Sequence, residues 1–150
     1  MAHSYCNLLS HVIFSTKERA PMLDVDLRQR LFPYMGGIIR EIDGNALIIN
    51  GPSDHDHALL ALPATLSIAD AMRLMKTNSS RWVHETWPER SAFAWQTGYA
   101  AFGVSESNRE SVRTYIANQE LHHRTMTFQD EFIHLLRKHG VDYDERYIWQ

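Results

Sequence analysis

The order of strand-like and helix-like segments is the feature that most limits the folds open to this chain. Short runs rich in β-branched and aromatic residues alternate with longer segments whose apolar residues recur at helical spacing. In order, these segments are a strand within 4–15, a helix from Asp24 to Gly44, strands over 46–50 and 55–62, a helix from Ser67 to about Glu85, a strand within 92–104 centred on 96–102, a helix from Ser105 or Ser107, and a helix from Thr127 to Gly140. The first six elements match the split βαβ arrangement. We therefore expect an α+β fold, a ferredoxin-like antiparallel sheet with helices packed on it, followed by C-terminal helices.

Length and composition indicate one globular unit. The chain has 150 residues, of which 44% are hydrophobic and 22% charged, so we expect a single folded domain over 1–150. No apolar run approaches the ~20 residues of a membrane span, and the N-terminus lacks a signal-peptide pattern, so we expect a cytoplasmic protein without a membrane partner. The formal net charge of -3 does not by itself favour nucleic acid, so DNA binding would need a local basic surface.

Two histidines separated by one residue form the first candidate site. In a strand, side chains two apart point to the same face, so His55 and His57 would present adjacent imidazoles to a metal ion. Two surface histidines on a polar strand explain the pair equally well. Asp56, between them, points to the opposite face, where a core residue is expected. A lone carboxylate in a core costs several kcal/mol unless it is paired.

A tyrosine and a glutamine form the second candidate site. Tyr115 and Gln119 lie four residues apart, so a helix would present the phenol and the amide on one face. A tyrosine at this spacing is more often part of a core than a nucleophile. If the helix faces the histidine pair, the amide oxygen could complete a metal site that activates a phosphate for attack by the phenol. His122 and His123 follow one turn later and would either contact metal or phosphate, or form a solvated helix end.

Polar and cationic residues beside an aromatic ring give a third group of candidates. Lys76, Ser79 and Arg81 precede Trp82, a mixture that suits contacts to a nucleic-acid backbone. A charged helix face explains the same residues nearly as well. We also place Lys17 and Arg19, in the first loop, among the candidate DNA contacts.

Taken in order, these motifs resemble a known family. Residues 50–57, 75–82, 95–99 and 115–123 look like the corresponding segments of HUH-type insertion-sequence transposases that use one catalytic tyrosine, a family that includes the REP-associated tyrosine transposases. The resemblance implies a DNA transposase that cuts and rejoins single-stranded DNA at hairpin-bearing ends through a 5′-phosphotyrosine intermediate. It also implies a homodimer, in which the tyrosine helix of one subunit often serves the histidine pair of the other.

The same resemblance assigns roles to individual residues. Tyr115 would be the nucleophile, and His55, His57 and Gln119 would hold Mg²⁺ or Mn²⁺. The mixed nitrogen and oxygen donors suit Mn²⁺, tolerate Mg²⁺ and would also accept Zn²⁺. Asp56 departs from the family pattern, which has a bulky apolar residue between the two histidines.

Two other functions stay open at this point. One is a non-catalytic protein that binds hairpin DNA and descends from a transposase, with Asp56 impairing its metal site. The other is a zinc-dependent phosphodiesterase that uses activated water and does not need Tyr115.

Overall fold

A computed structural model describes residues 3–150 as one four-stranded sheet with helices on both of its faces. The strands are β1 (Leu9–Ser15), β2 (Asn45–Asn50), β3 (His55–Ala61) and β4 (Ala100–Val104); the helices are α1 (Val25–Glu41), α2 (Ile68–Thr86), α3 (Arg109–Ala117), α4 (Gln119–His122) and α5 (Phe128–Lys138). Within residues 3–150, no helix is both long enough and apolar enough to cross a membrane.

The sheet has the strand order β2-β3-β1-β4, and each neighbouring pair is antiparallel. This is the order of a split βαβ sheet, so the predicted α+β, ferredoxin-like fold is confirmed. Even-numbered residues of β1 and β3, such as Phe14 and Leu60, face a core formed with α1 and α2. Odd-numbered residues face the other side, where Ile13 packs with α5 and Leu59 packs with α3. Strand alternation therefore assigns the two faces of β3 to different neighbours.

Three helices start at the capping residues that the sequence predicts, whereas the helix expected from Ser105 or Ser107 begins only at Arg109, after a 3-10 turn over Glu106–Asn108. Asp24, Ser67 and Thr127 each accept a hydrogen bond from a backbone amide three residues later, at 3.0, 3.0 and 3.2 Å. Each bond satisfies a backbone donor that the first helical turn leaves free.

The turn between β2 and β3 depends on a glycine. A Cβ added at Gly51 would lie 2.1 Å from the carbonyl oxygen of His55, so no other residue fits without moving the start of β3. Before this turn, the register between β2 and β3 passes from the Ala46–Leu60 pair to the Ile48–Leu59 pair, which leaves Leu47 as an extra residue, a β-bulge.

The fourth strand begins later than its sequence predicts. The expected centre was 96–102, but β4 starts at Ala100, and Trp95 forms only an isolated bridge with Thr16. The cause is a competing interaction, because the ammonium of Lys76 donates to the backbone carbonyls of Gln96 and the two residues that follow. This segment is therefore bound to α2 where the sequence predicted strand pairing.

The expected continuous helix carrying Tyr115 and Gln119 is divided. α3 ends at Ala117, and Gln119 begins the separate short helix α4. Asn118, between them, has φ -99° and ψ 26°, and its amide bonds the carbonyls of both Thr114 and Tyr115. Asn118 therefore closes α3 in a tight turn, and α4 begins at the next residue.

Candidate metal centre and nucleophile

The two histidines of β3 lie buried on the face that packs against α3 and α5. Their Nε2 atoms point at the same carboxylate oxygen, Oε1 of Glu131, at 3.4 Å from His55 and 3.0 Å from His57. All three side chains are fully buried. The side-by-side arrangement follows from strand alternation, whereas the carboxylate comes from α5.

A third imidazole joins this cluster. Nε2 of His123 lies 3.1 Å from Oε1 of Glu131, and one ligand atom from each of His55, His57, His123 and Glu131 lies within 4.8 Å of the others. Ligands on opposite sides of an ion at ~2.1 Å are about 4.2 Å apart, so small movements would suffice to close this group around a metal.

The hydrogen bonds of His55 indicate whether this cluster of three histidines and Glu131 suits a metal ion. Its Nδ1 lies 2.8 Å from a carboxylate oxygen of Asp54, which holds the ring proton on that nitrogen. Its Nε2 is buried and has no hydrogen-bond partner among residues 3–150. A carboxylate that orients an imidazole and leaves the other ring nitrogen free is the usual support of a metal-binding histidine. The donor set of three imidazoles and one carboxylate therefore fits a divalent transition metal.

Electrostatics within the cluster favour an ionised carboxylate. Burial alone would raise the pKa of Glu131, but its close interactions with His123, His55 and His57 outweigh burial and hold that pKa far below its usual range. Burial lowers the pKa of His57 to about 4, so this ring is neutral near pH 7. Burial would also lower the pKa of His55, but its hydrogen bond with Asp54 and the nearby negative charge of Glu131 raise it instead.

Tyr115 lies directly beside this group. Its hydroxyl donates a hydrogen bond to Oε2 of Glu131, the oxygen that faces away from the histidines. Burial, together with the carboxylate of Glu131, raises the pKa of the Tyr115 phenol, so the hydroxyl keeps its proton in this arrangement. His122 stacks on the Tyr115 ring, with ring centroids 4.4 Å apart.

Gln119 is fully buried at the edge of the same group. Its amide nitrogen lies 3.3 Å from Oε2 of Glu131, and its amide oxygen lies 3.2 Å from Nε2 of His123. The amide oxygen of Gln119 therefore contacts His123, which lies between Gln119 and the His55–His57 pair. The structure brings Tyr115, Gln119 and the histidine pair to one place, with Glu131 between them.

Another buried histidine, His11 of β1, contacts His57. Nε2 of His11 lies 2.8 Å from Nδ1 of His57, and His11 is only 4% exposed. Burial lowers the pKa of His11 to about 3, so this imidazole is also neutral. A neutral imidazole can either donate or accept through Nε2, and it can therefore follow the tautomer of its neighbour.

Asp56 lies where strand alternation directs it, in the core between the sheet and helices α1 and α2. It is fully buried, and neither carboxylate oxygen has a hydrogen-bond partner among residues 3–150. Burial raises the pKa of Asp56 well above its usual value, which the positive charges of His55 and Lys76 only partly offset. The cationic partner that such a residue would need is absent within the described part of the chain.

The candidate DNA contacts fall into two groups. Ser79 is fully buried and accepts a hydrogen bond from the Trp95 indole, and the ammonium of Lys76 is bound to backbone carbonyls. This conformation gives no support for DNA contacts from either. Arg81 and Lys17 are exposed, and Arg19 lies over the ring of Trp149, 5.3 Å from its centroid.

The structure adds Glu131, which the sequence analysis did not identify, to the candidate metal ligands. It also groups His123, whose role was open, with His55 and His57. Glu131 is the second acidic residue in the first turn of α5, where acids are common because they favour the helix dipole. Its distance along the chain from His57, 74 residues, gave no sequence reason to join them. The only available signal was its position in the apolar stripe of α5, between Phe128 and Leu135, where an acid is unexpected.

Two solved structures share the fold of this chain. A crystal structure of a candidate transposase from Deinococcus radiodurans R1 superposes with a TM-score of 0.64 at 23% identity, covering 79% of this chain and 96% of that one. A REP-associated tyrosine transposase bound to a REP hairpin superposes with a TM-score of 0.60 at 12% identity, covering 82% of this chain and 73% of that one. At these identities the likeness shows a shared fold. No curated protein sequence matches this chain.

The family model described as "Transposase IS200 like" matches residues 4–119. The match includes all four strands, the histidine pair and Tyr115, and it ends at Gln119, before His123 and Glu131. Because the model covers most of the chain, this protein belongs to the IS200-like transposase family.

Proposed function

We propose that this protein cuts and rejoins single-stranded DNA at hairpin-bearing ends, with Tyr115 as the nucleophile. One observation carries the proposal: the Tyr115 hydroxyl bonds the same carboxylate that three imidazoles surround. Glu131 contacts both the proposed nucleophile and the three imidazoles. We therefore infer that Tyr115 and a metal ion bound by this cluster would act on the same phosphate.

The proposed reaction exchanges one phosphodiester for another. The oxygen of Tyr115 attacks the phosphorus, the bond from phosphorus to the 3′ oxygen breaks, and a 5′-phosphotyrosine forms. The phenol loses its proton and the departing 3′ oxygen gains one, so charge and protons balance. A 3′-OH from another strand can reverse the step and rejoin DNA without an external energy source, because one phosphate ester replaces another.

The metal ligands we propose are His55, His57, His123 and Glu131, with Gln119 beside them. A divalent ion held there would polarise the scissile phosphate and stabilise its developing charge. We propose Mg²⁺ or Mn²⁺, and a donor set with three imidazoles favours Mn²⁺ because Mg²⁺ prefers oxygen ligands.

Hairpin DNA is the partner we propose, since a REP-associated tyrosine transposase of the same fold is bound to a REP hairpin. Arg81, Lys17 and Arg19 stay our candidates for backbone contacts. We further propose that residues 1–150 act as one domain and that two copies form a homodimer.

The test uses a labelled single-stranded hairpin oligonucleotide, taken from palindromes beside the gene, and Mn²⁺. We expect a covalent protein–DNA adduct on a denaturing gel. Tyr115→Phe should abolish it, because phenylalanine has no oxygen to attack. Tyr147→Phe, which removes a hydroxyl from an exposed tyrosine, should leave the adduct unchanged.

Three outcomes separate the proposal from its alternatives. Hairpin binding without an adduct, unchanged by His55→Ala, would instead identify a non-catalytic DNA-binding protein. Hydrolysis that persists in Tyr115→Phe would identify a phosphodiesterase that uses water. Loss of the adduct in Tyr115→Phe and in His57→Ala, with the fold intact by circular dichroism, supports strand transfer.

A further inference from the structure

A cavity of about 410 Å³ lies on the side of Tyr115 that faces β4 and α5. Tyr115 and His11 form part of its wall, together with Asn108 just before α3, Ser111 on α3 and Lys138 on α5. Its volume is within the ~300–1,000 Å³ of typical small-molecule sites. Because one wall is the ring of the proposed nucleophile, whatever occupies the cavity lies next to the reacting phosphate.

The charge of the lining is one-sided. Among residues 3–150, the cavity is lined by a lysine and three histidines and by no aspartate or glutamate. This lining, with one lysine and no acid, contrasts with the formal net charge of -3 of the protein as a whole. The lining also includes the hydroxyl of Ser111, the amide of Asn108 and the apolar side chains of Val112 and Leu135, which add both polar and hydrophobic contacts.

His11 adds a hydrogen-bonding atom to the wall of this cavity. Its Nε2 is bonded to Nδ1 of His57, at 2.8 Å, while its Nδ1 has no partner among the described side chains. If Nε2 of His57 binds a metal, its Nδ1 must carry the ring proton and donate it to His11. The proton of His11 then lies on Nδ1, and the free ring nitrogen becomes a donor at the cavity wall. A hydrogen-bond acceptor in the cavity would satisfy this donor.

We propose that the cavity holds the nucleotide of single-stranded DNA that adjoins the scissile phosphate. A nucleotide supplies the anion for Lys138, acceptor atoms for His11 and Ser111, and an apolar base or sugar surface for Val112 and Leu135. The inference rests on the proposed function, since it assigns the neighbour of the phosphate that Tyr115 attacks. It adds α5 and the start of α3 to the surface that binds substrate.

The first test places a negative charge inside or outside the cavity. Ser111→Glu adds a carboxylate to the lining, and Thr114→Glu adds the same charge to an exposed position on α3 that does not line the cavity. Binding of a fluorescently labelled single-stranded oligothymidylate is measured by anisotropy in Mn²⁺. We expect Ser111→Glu to weaken binding ~10-fold relative to Thr114→Glu, because only its carboxylate meets the bound phosphate. Equal affinities for the two variants would overturn the proposal.

The second test removes a positive charge. Lys138→Gln removes the lysine of the lining, and Arg137→Gln removes the neighbouring exposed cation of α5, which does not line the cavity. We expect Lys138→Gln alone to reduce the magnitude of the slope of log affinity against log salt by about 0.7, the value for one phosphate contact on a single strand. The same slope in both variants would mean that no phosphate is bound at Lys138, and the proposal would fail.

The adduct assay separates this inference from the proposed function. Adduct formation by the wild type, with matched binding in both variant pairs, would retain the transposase function and reject the cavity. The expected difference in DNA binding within both variant pairs, without any adduct, would retain the cavity as a nucleotide site and reject strand transfer. Thermal unfolding of each variant, expected within a few degrees of the wild type because all four positions are exposed, shows that the fold is intact.

Discussion

At the scale of single residues, Asp56 is the least favourable choice for its surroundings. Its carboxyl group is fully buried and makes no hydrogen bond to any residue in 3–150. Leaving a buried polar group unsatisfied costs about 1–3 kcal/mol, and an apolar residue of similar size would avoid this cost.

We therefore expect Asp56→Leu to stabilise the protein by about 1–3 kcal/mol in urea unfolding, because it replaces the unsatisfied carboxyl with an apolar side chain in an apolar core. The exposed Asp142 provides the control, and Asp142→Leu should change stability by less than about 0.5 kcal/mol. A destabilising Asp56→Leu would show that the carboxyl group has a partner in solution.

Glu131 is the residue whose contribution to metal binding can be isolated most clearly. Glu131→Gln keeps the shape of the side chain but removes the charge that three imidazoles surround. We expect the affinity for Mn²⁺, measured by calorimetry, to fall at least ~10-fold, since even changes behind the ligands cost 10–100-fold. Asp130→Asn, which alters the adjacent exposed acid of α5, should bind Mn²⁺ like the wild type. Equal affinities for both variants would remove Glu131 from the site.

The residues of the site differ in how far the sequence could predict them. His55 and His57 share a face because a strand alternates, which is a local rule that needs no tertiary structure. Glu131 reaches the pair only because α5 packs on the odd-numbered face of the sheet. That packing depends on contacts between distant segments, so periodicity alone could not locate Glu131.

At the scale of elements, α5 is the helix on which both proposals depend most. It begins at a threonine cap, packs Phe128 and Phe132 against the sheet, and carries Glu131 and Lys138 to opposite sides of Tyr115. Its start and its apolar stripe were predictable from Thr127 and the helical spacing. Its docking position was not, because the stripe does not say which surface it will cover.

Removing the cap should loosen this helix. Thr127→Ala deletes the side-chain oxygen that accepts from the Asp130 amide, and such losses typically cost about 1 kcal/mol. We expect that decrease in urea unfolding and faster hydrogen exchange in the first turn of α5. Thr125→Ala, at an exposed threonine that caps no helix, should stay within about 0.5 kcal/mol of the wild type. Unchanged exchange in Thr127→Ala would mean that packing alone holds this turn.

The late start of β4 shows how a single cation limits prediction of a strand. Residues 96–102 have a strand-like composition, but Lys76 of α2 binds the carbonyls of Gln96, Thr97 and Gly98. The competitor lies about 20 residues earlier in the chain, as the separation of Lys76 from Gln96 gives. A prediction based on local spacing has no access to such a contact.

At the scale of the whole molecule, one chain contains both halves of the proposed site. Tyr115 bonds Glu131, which in turn contacts His55 and His57 of the same chain. This arrangement predicts a site assembled within one subunit, although the family often assembles it between two subunits.

Mixing two inactive variants distinguishes these arrangements. If each site is built within one chain, Tyr115→Phe and His57→Ala should form no adduct when mixed, since neither chain holds an intact site. A site shared between subunits would restore up to about half of the wild-type activity in a purified mixed dimer, since one of its two sites would be complete, and about a quarter in a freely exchanging mixture, since only half of the dimers are then mixed. The two variants should be co-expressed with different affinity tags and the mixed dimer purified through both tags, so that failure to exchange subunits is not mistaken for assembly within one chain.

The bulge at Leu47 and the strict alternation of β3 differ in their tolerance of changes in length. The edge strand β2 already accommodates one additional residue, so insertions there displace few side chains. In β3, inserting or deleting one codon would move the imidazoles into the core and turn Asp56 toward Glu131. Descendants of this gene should therefore accumulate length variation in β2 and its flanking turns, and almost none between His55 and Leu59.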